Sequence, residues 1–195
     1  MSDIDSAANQ KWTDLDAAWY SYQTYLSAKR DRFELTYLDL LYIRNFKAGN
    51  ASILAKETDV NDSLRSYSEA VHTICNKFGT RSLVQLQVEE LARLKRSGQN
   101  FLELTNLQPI KGLGISYASA LLAALFPTLF PILDRRALNG AGIVERLPKS
   151  GQVVDISQYY GDLIDYCYQR LRSGSESSLR EIDKKLFGIR IRKTT

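Results

Sequence analysis

The sequence predicts an all-α fold, and three observations carry that prediction. Apolar residues recur at helical spacing in one segment after another, no run alternates polar and apolar residues as a sheet would need, and four prolines interrupt 195 residues. The best short extended candidate is Gly151-Gln152-Val153-Val154. A chain of this length buries a full core, either as one domain over 1–195 or as a helical bundle of two small lobes. Composition is that of a globular chain, with 44% hydrophobic and 25% charged residues.

Taken in order, residues 1–10 read as a frayed start. Leu15, Trp19, Tyr22 and Leu26 then mark one face of a helix from Trp12 to about Lys29, with Thr13 as its cap. Leu35, Leu38, Leu41, Tyr42 and Phe46 mark a second helix, Phe33 to Phe46. A polar loop follows, in which Gly49 suits a helix C-cap and Lys47 and Asn50 could meet a phosphate or a base edge. Leu64, Tyr67, Val71, Ile74 and Phe78 give a third helix, Asp59 to Phe78, capped by Asp59 or Asn61 and ended by Gly79. Ser82 to Lys95 reads as the next, broken by Ser97-Gly98 before a short helix from Phe101 to Leu107. Late helices are expected over Ile156–Leu171 and Leu179–Phe187, separated by the serine-rich linker 173–178.

Charge and rare residues narrow the function. The formal net charge of +4 resides entirely in the last 16 residues, where six basic groups face Glu181 and Asp183. The basic tail at 188–195 therefore serves either as a phosphate-contacting arm or as a solubilising terminus. Two cysteines, Cys75 and Cys167, fit a reducing compartment, so a cytoplasmic location is expected, and they offer no metal cluster. His72 is the only histidine and reads as a structural residue with no acid at useful spacing, which excludes a zinc site and a serine–histidine triad. No run of 18 apolar residues exists and the first residues are acidic and polar, so neither a membrane span nor a signal peptide is expected.

The chemistry concentrates between Phe101 and Gly142. Pro109-Ile110-Lys111-Gly112-Leu113-Gly114 forms a tight turn with two glycines two apart, followed at once by the apolar run Ile115–Phe126. A turn feeding a helix start gathers unpaired N–H groups and the positive end of the helix dipole, which suits a phosphate. Pro127 stops the helix, and Phe130-Pro131-Ile132-Leu133 leads to Asp134, 20 residues past Gly114, with Arg135 and Arg136 immediately after. Asp134 would serve equally as an ordinary helix cap.

This stretch resembles the hairpin region of the helix-hairpin-helix DNA glycosylases, the base-excision repair superfamily. There the hairpin reads roughly Leu-Pro-Gly-Val-Gly, a small residue follows (here Ala118), and a catalytic aspartate lies about twenty residues on (here Asp134). The pattern as a whole is similar to a bacterial branch of that superfamily whose chain ends in a short docked helix. Two departures stand out. Bifunctional members carry a lysine where this chain has Ser116, and the family usually has a threonine or valine and then a histidine where this chain has Arg135-Arg136.

The resemblance implies a protein of double-stranded DNA. Lys111, Gly112, Leu113, Gly114, Ile115 and Ser116 would contact the backbone, with no metal ligand from side chains and a monovalent cation held by hairpin carbonyls, and Arg135 and Arg136 would extend the contact. Asp134 would be the catalytic residue of a monofunctional glycosylase hydrolysing the N-glycosidic bond of a modified base. Trp19, Tyr22, Tyr42, Lys47 and Asn50 are the candidates for a pocket that receives a flipped base, against core packing for the aromatics. No organic cofactor is implied. The alternatives are a helix-hairpin-helix module that binds DNA without catalysis, and a helical protein-interaction domain. The setting of Asp134, open to an aromatic cleft or bonded into a helix terminus, separates the enzyme from the others.

Overall fold

The computed structural model describes residues 3–47, 53, 55–144, 153 and 155–188, with backbone alone over 3–12 and at 188. Among the described residues eight α-helices succeed one another: α1 (Asp3–Ala28), α2 (Tyr37–Phe46), α3 (Asn61–Phe78), α4 (Val88–Leu107), α5 (Ile115–Leu125), α6 (Arg135–Gly140), α7 (Tyr160–Arg172) and α8 (Leu179–Gly188). Short 3₁₀ turns precede α3, α4 and α7, and no strand occurs among the described residues. The fold is all-α. Asn50, Gly49, the 151–154 candidate strand apart from Val153, and the tail beyond Gly188 lie outside the described residues.

Helix α5 is the centre. Every residue from Ala118 to Leu125 is buried, and α1, α2 and α4 pack around it. Its small residues let neighbours approach closely, while each buried leucine contributes about 2 kcal/mol of burial energy. At its far end Gln23 Nε2 and Arg32 Nη2 both donate to the Ala124 carbonyl, at 2.9 and 2.8 Å. Those bonds satisfy an acceptor that the helix terminus leaves over, and Pro127 lies just beyond it. The buried side chains of all the described helices join in one hydrophobic cluster.

Several boundaries differ from the sequence expectation, each for a local reason. Helix α1 starts at Asp3, so Thr13 is interior to it rather than its cap. Helix α2 starts at Tyr37 rather than Phe33, because Asp39 reaches back to accept the Thr36 N–H at 2.7 Å and fixes the start there. Val60, and neither Asp59 nor Asn61, occupies the cap position of α3, which the preceding 3₁₀ turn leads into directly. His72 does have an acid partner: Asp31, from the α1–α2 connection, lies 3.3 Å from its Nε2.

The largest correction concerns Ser97-Gly98, which does not break a helix. Helix α4 runs through it from Val88 to Leu107. A Cβ on Gly98 would stand 2.9 Å from ring carbons of both Phe130 and Tyr160, so the glycine is there to let α7 and the 126–134 segment close on α4. Helix propensity alone would make Gly98→Ala stabilising by about 1 kcal/mol. We expect the opposite sign, a loss of roughly 1–3 kcal/mol from overpacking. Chemical denaturation of the variant decides between them, and a gain in stability would mean the two rings yield freely.

Candidate functional site

The turn between α4 and α5 is built by two buried anchors and three exposed positions. Ile110 and Leu113 are 4% and 3% exposed and sit in the core, whereas Lys111, Gly112 and Gly114 face outward. The Leu113 N–H donates to the Ile110 carbonyl at 2.8 Å, closing a four-residue turn with Gly112 at φ 95°, a conformation glycine adopts without strain. Gly114 then occupies the N-cap position of α5, and its carbonyl accepts from Tyr117 and Ala118. A Cβ on Gly114 would meet nothing within 4 Å. Ile115 and Ser116, both half-buried, carry first-turn N–H groups that no carbonyl within the helix can reach. The Ile110 and Gly114 carbonyls thus accept backbone bonds at either end of the turn.

The path from α5 to Asp134 is buried from Leu129 to Leu133, so its peptide groups need internal partners. Thr128 O accepts from Leu83 N at 2.8 Å, and Pro131 O accepts from Tyr160 Oη at 3.0 Å. Leu133 bonds twice to Ser119 Oγ: its N–H donates at 2.9 Å, and its carbonyl lies at 3.1 Å as an acceptor. This extended segment is thereby fixed across the middle of α5.

Asp134 caps α6. Its Oδ1 accepts from Arg136 N and Ala137 N, both at 2.9 Å, and its Oδ2 lies 3.1 Å from Lys47 Nζ. Burial pushes this carboxyl up, but the Lys47 charge and the backbone bonds from Ala137 and Arg136 outweigh burial and hold it below the ordinary range. It is therefore ionised at neutral pH. Its side chain remains 21% exposed.

Lys47 and Asp134 were each nominated from the sequence, and the structure brings them together from positions 87 residues apart. The aromatic candidates fare differently. Tyr22 is a core residue rather than a pocket wall: it is fully buried, donates to Asp39 Oδ1 at 2.9 Å and stacks on Tyr42. Tyr42 is half-buried and also stacks on Tyr25, with ring centres 4.7 Å apart. Trp19 packs against Phe46 at 5.1 Å and lines a small cavity with Ile132, Arg180 and Asp183. Arg135 is exposed, whereas the guanidinium of Arg136 lies 4.5 Å from the Phe187 ring centre and so ties α6 to α8.

Sequence reasoning missed two members of this neighbourhood. Arg180 of α8 pairs with Asp16 at 2.8 Å and with Asp183, and stands over both Trp19 and Phe46. Asp183 is held up at about 6, first by burial and then by the nearby Asp134 charge, with Arg180 and Lys47 opposing. The one sequence signal was an aspartate on the inward side of the Leu179, Ile182, Leu186 stripe. Among the described residues no group of three His, Cys, Asp or Glu could hold a metal, and no helix is long and apolar enough to cross a membrane.

No protein-family model, no curated protein and no solved structure matches this chain.

Proposed function

We propose that the chain binds double-stranded DNA through the 110–116 turn, as a helix-hairpin-helix, and that Asp134 acts on the N-glycosidic bond of a modified base. The observation that supports this most is that one rigid helix carries both parts: Gly114 begins α5, and Ser119 of α5 fixes the residue before Asp134. Phosphate held at the turn would thus stand at a set position relative to an ionised carboxylate.

In this reading the N–H groups of Gly112, Gly114 and Ile115 and the Lys111 ammonium hold the backbone and carry no sequence information. The target nucleotide leaves the stack to reach Asp134. Water adds at C1′ as the bond to the base nitrogen breaks, the bonding pair departs with the base, and the water proton is released. Asp134 stabilises the positive charge that develops on the sugar. With Ser116 in place of an amine, the reaction is hydrolysis without strand cleavage.

A second reading, DNA binding without chemistry, is favoured by the fact that both Asp134 oxygens already have partners.

Gly114→Asp tests the binding surface, because the backbone at φ −81° and ψ 174° suits an aspartate cap and there is open space for it. Stability should hold or rise slightly, while affinity for a labelled duplex bearing an abasic-site analogue should fall about tenfold or more, through charge repulsion. Wild-type binding should weaken steeply with salt. Salt-insensitive binding, or binding that Gly114→Asp leaves intact, would sink both DNA readings. Duplexes carrying uracil, hypoxanthine, 8-oxoguanine or 7-methylguanine then separate the two. Base release that Asp134→Asn lowers about a hundredfold supports the enzyme, and binding without base release supports the module.

A further inference from the structure

We infer that Ser119 is a positioning residue, setting where the Asp134 carboxylate stands relative to the hairpin; this rests on the reading that Asp134 works on DNA held at that hairpin. Ser119 is the one polar side chain in the stretch Ala118–Leu125, and it is fully buried. Its hydroxyl accepts the Leu133 N–H at 2.9 Å. Its single proton has two carbonyls to choose from, Ser116 O at 2.9 Å within α5 and Leu133 O at 3.1 Å across from it.

Filling space there needs only an alanine, as at the flanking Ala118 and Ala120. What alanine lacks is the hydroxyl that accepts the Leu133 N–H and shares its one proton between the Leu133 and Ser116 carbonyls. Held at its N–H and drawn in at its carbonyl, the Leu133 peptide is fixed in height and rotation against α5. Asp134 is the next residue, so the same hydroxyl decides whether its carboxylate meets Lys47 and the first N–H groups of α6. Without it the buried Leu133 N–H loses its partner, the Leu133 carbonyl loses its share of the proton, and the segment has cause to move. The hairpin, anchored separately by Ile110 and Leu113, has none.

The test compares wild type with Ser119→Ala and Ser119→Thr, the latter keeping the hydroxyl, in the full chain. Two readouts do not depend on activity: hydrogen exchange at the Leu133 amide, and titration of the Asp134 carboxyl followed by NMR. In Ser119→Ala we expect Leu133 to exchange at least about tenfold faster and the Asp134 midpoint to move up towards the ordinary range. Affinity for the abasic-analogue duplex should stay within about twofold. Base release from any of the four modified duplexes that wild type processes should fall about tenfold or more, in kcat rather than KM. Ser119→Thr should restore all of these. If the alanine variant does not fold, Ser119→Cys carries the same comparison, since a thiol fills the space but bonds weakly.

Unchanged Leu133 exchange and Asp134 titration in the variant would overturn the positioning role, whether or not the protein excises a base. A wild type that releases no base from any of the four duplexes would overturn the catalytic reading, and the two spectroscopic results would still judge Ser119 by themselves.

Discussion

Asp39→Ala is expected to cost about 3–5 kcal/mol of folding stability, the range for stranding one member of a buried ion pair. Asp39 has no exposed surface, yet four donors converge on it: Tyr22 Oη at 2.9 Å, Lys29 Nζ at 2.9 Å, Thr36 N at 2.7 Å and Thr36 Oγ1 at 2.9 Å. Alanine would leave a Lys29 ammonium that is only 11% exposed without its counter-charge, and a buried phenol without an acceptor. The start of α2 would lose its carboxylate as well. Because α2 ends at Phe46 and leads into Lys47, looseness in this helix should reach the Lys47–Asp134 contact. Urea unfolding of both proteins gives the number. A loss below about 1 kcal/mol would mean that water or a side-chain shift replaces the whole network.

Asp183→Asn should act in the other direction and make the protein more stable at pH 7.5. Its carboxyl sits at about 6 in the folded chain against an ordinary 3.8, so the folded state favours the neutral form. The stability associated with that preference is fully present below pH 3.8 and is lost as pH rises through about 6. Above that, the ionised group costs at most about 3 kcal/mol, from 1.36 kcal/mol per unit over the difference. Asparagine removes this cost, and Asp16 remains to pair with Arg180. The groups facing Asp183 include Arg180 on its own helix and, by electrostatic reach, Asp134, Lys47 and the buried Cys167 thiol of α7. Asp134 has the opposite bias: its contribution is present above 3.8 and disappears as pH falls below that value. Wild type minus variant, measured by denaturation at pH 5 and pH 7.5, should therefore diverge with rising pH. A variant less stable than wild type at pH 7.5 would show that the Arg180 bond outweighs burial.

Some of this architecture was legible in the sequence because it is written locally. The period of 3.6 gave the helices, and two glycines two apart gave a turn in which Gly112 takes a left-handed φ. Asp134 reads as either a helix cap or a catalytic carboxylate, and it does cap α6. Other features have no local signature. Ser119 looks like a tolerated helix residue until Leu133 is placed against it, 14 residues on. Gly98 looks like a break until two aromatic rings from distant segments arrive, and Tyr22 reads as core or as pocket wall until Asp39 takes its hydroxyl. Arg180 and Asp183 belong to a helix whose apolar stripe was clear, but Arg180's partner Asp16 lies 164 residues away. Period and spacing describe a helix face; they do not say which charges meet across it.

The encasement of α5 has a mechanical consequence. A helix buried along Ala118–Leu125 and surrounded by three others cannot swivel, and the turn at its start is pinned by Ile110 and Leu113. A duplex seated on that turn would therefore meet an anvil rather than a jaw. The bending and unstacking needed to bring a nucleotide to Asp134 would have to be supplied by the DNA, so base steps that kink cheaply would be favoured even where no side chain touches them.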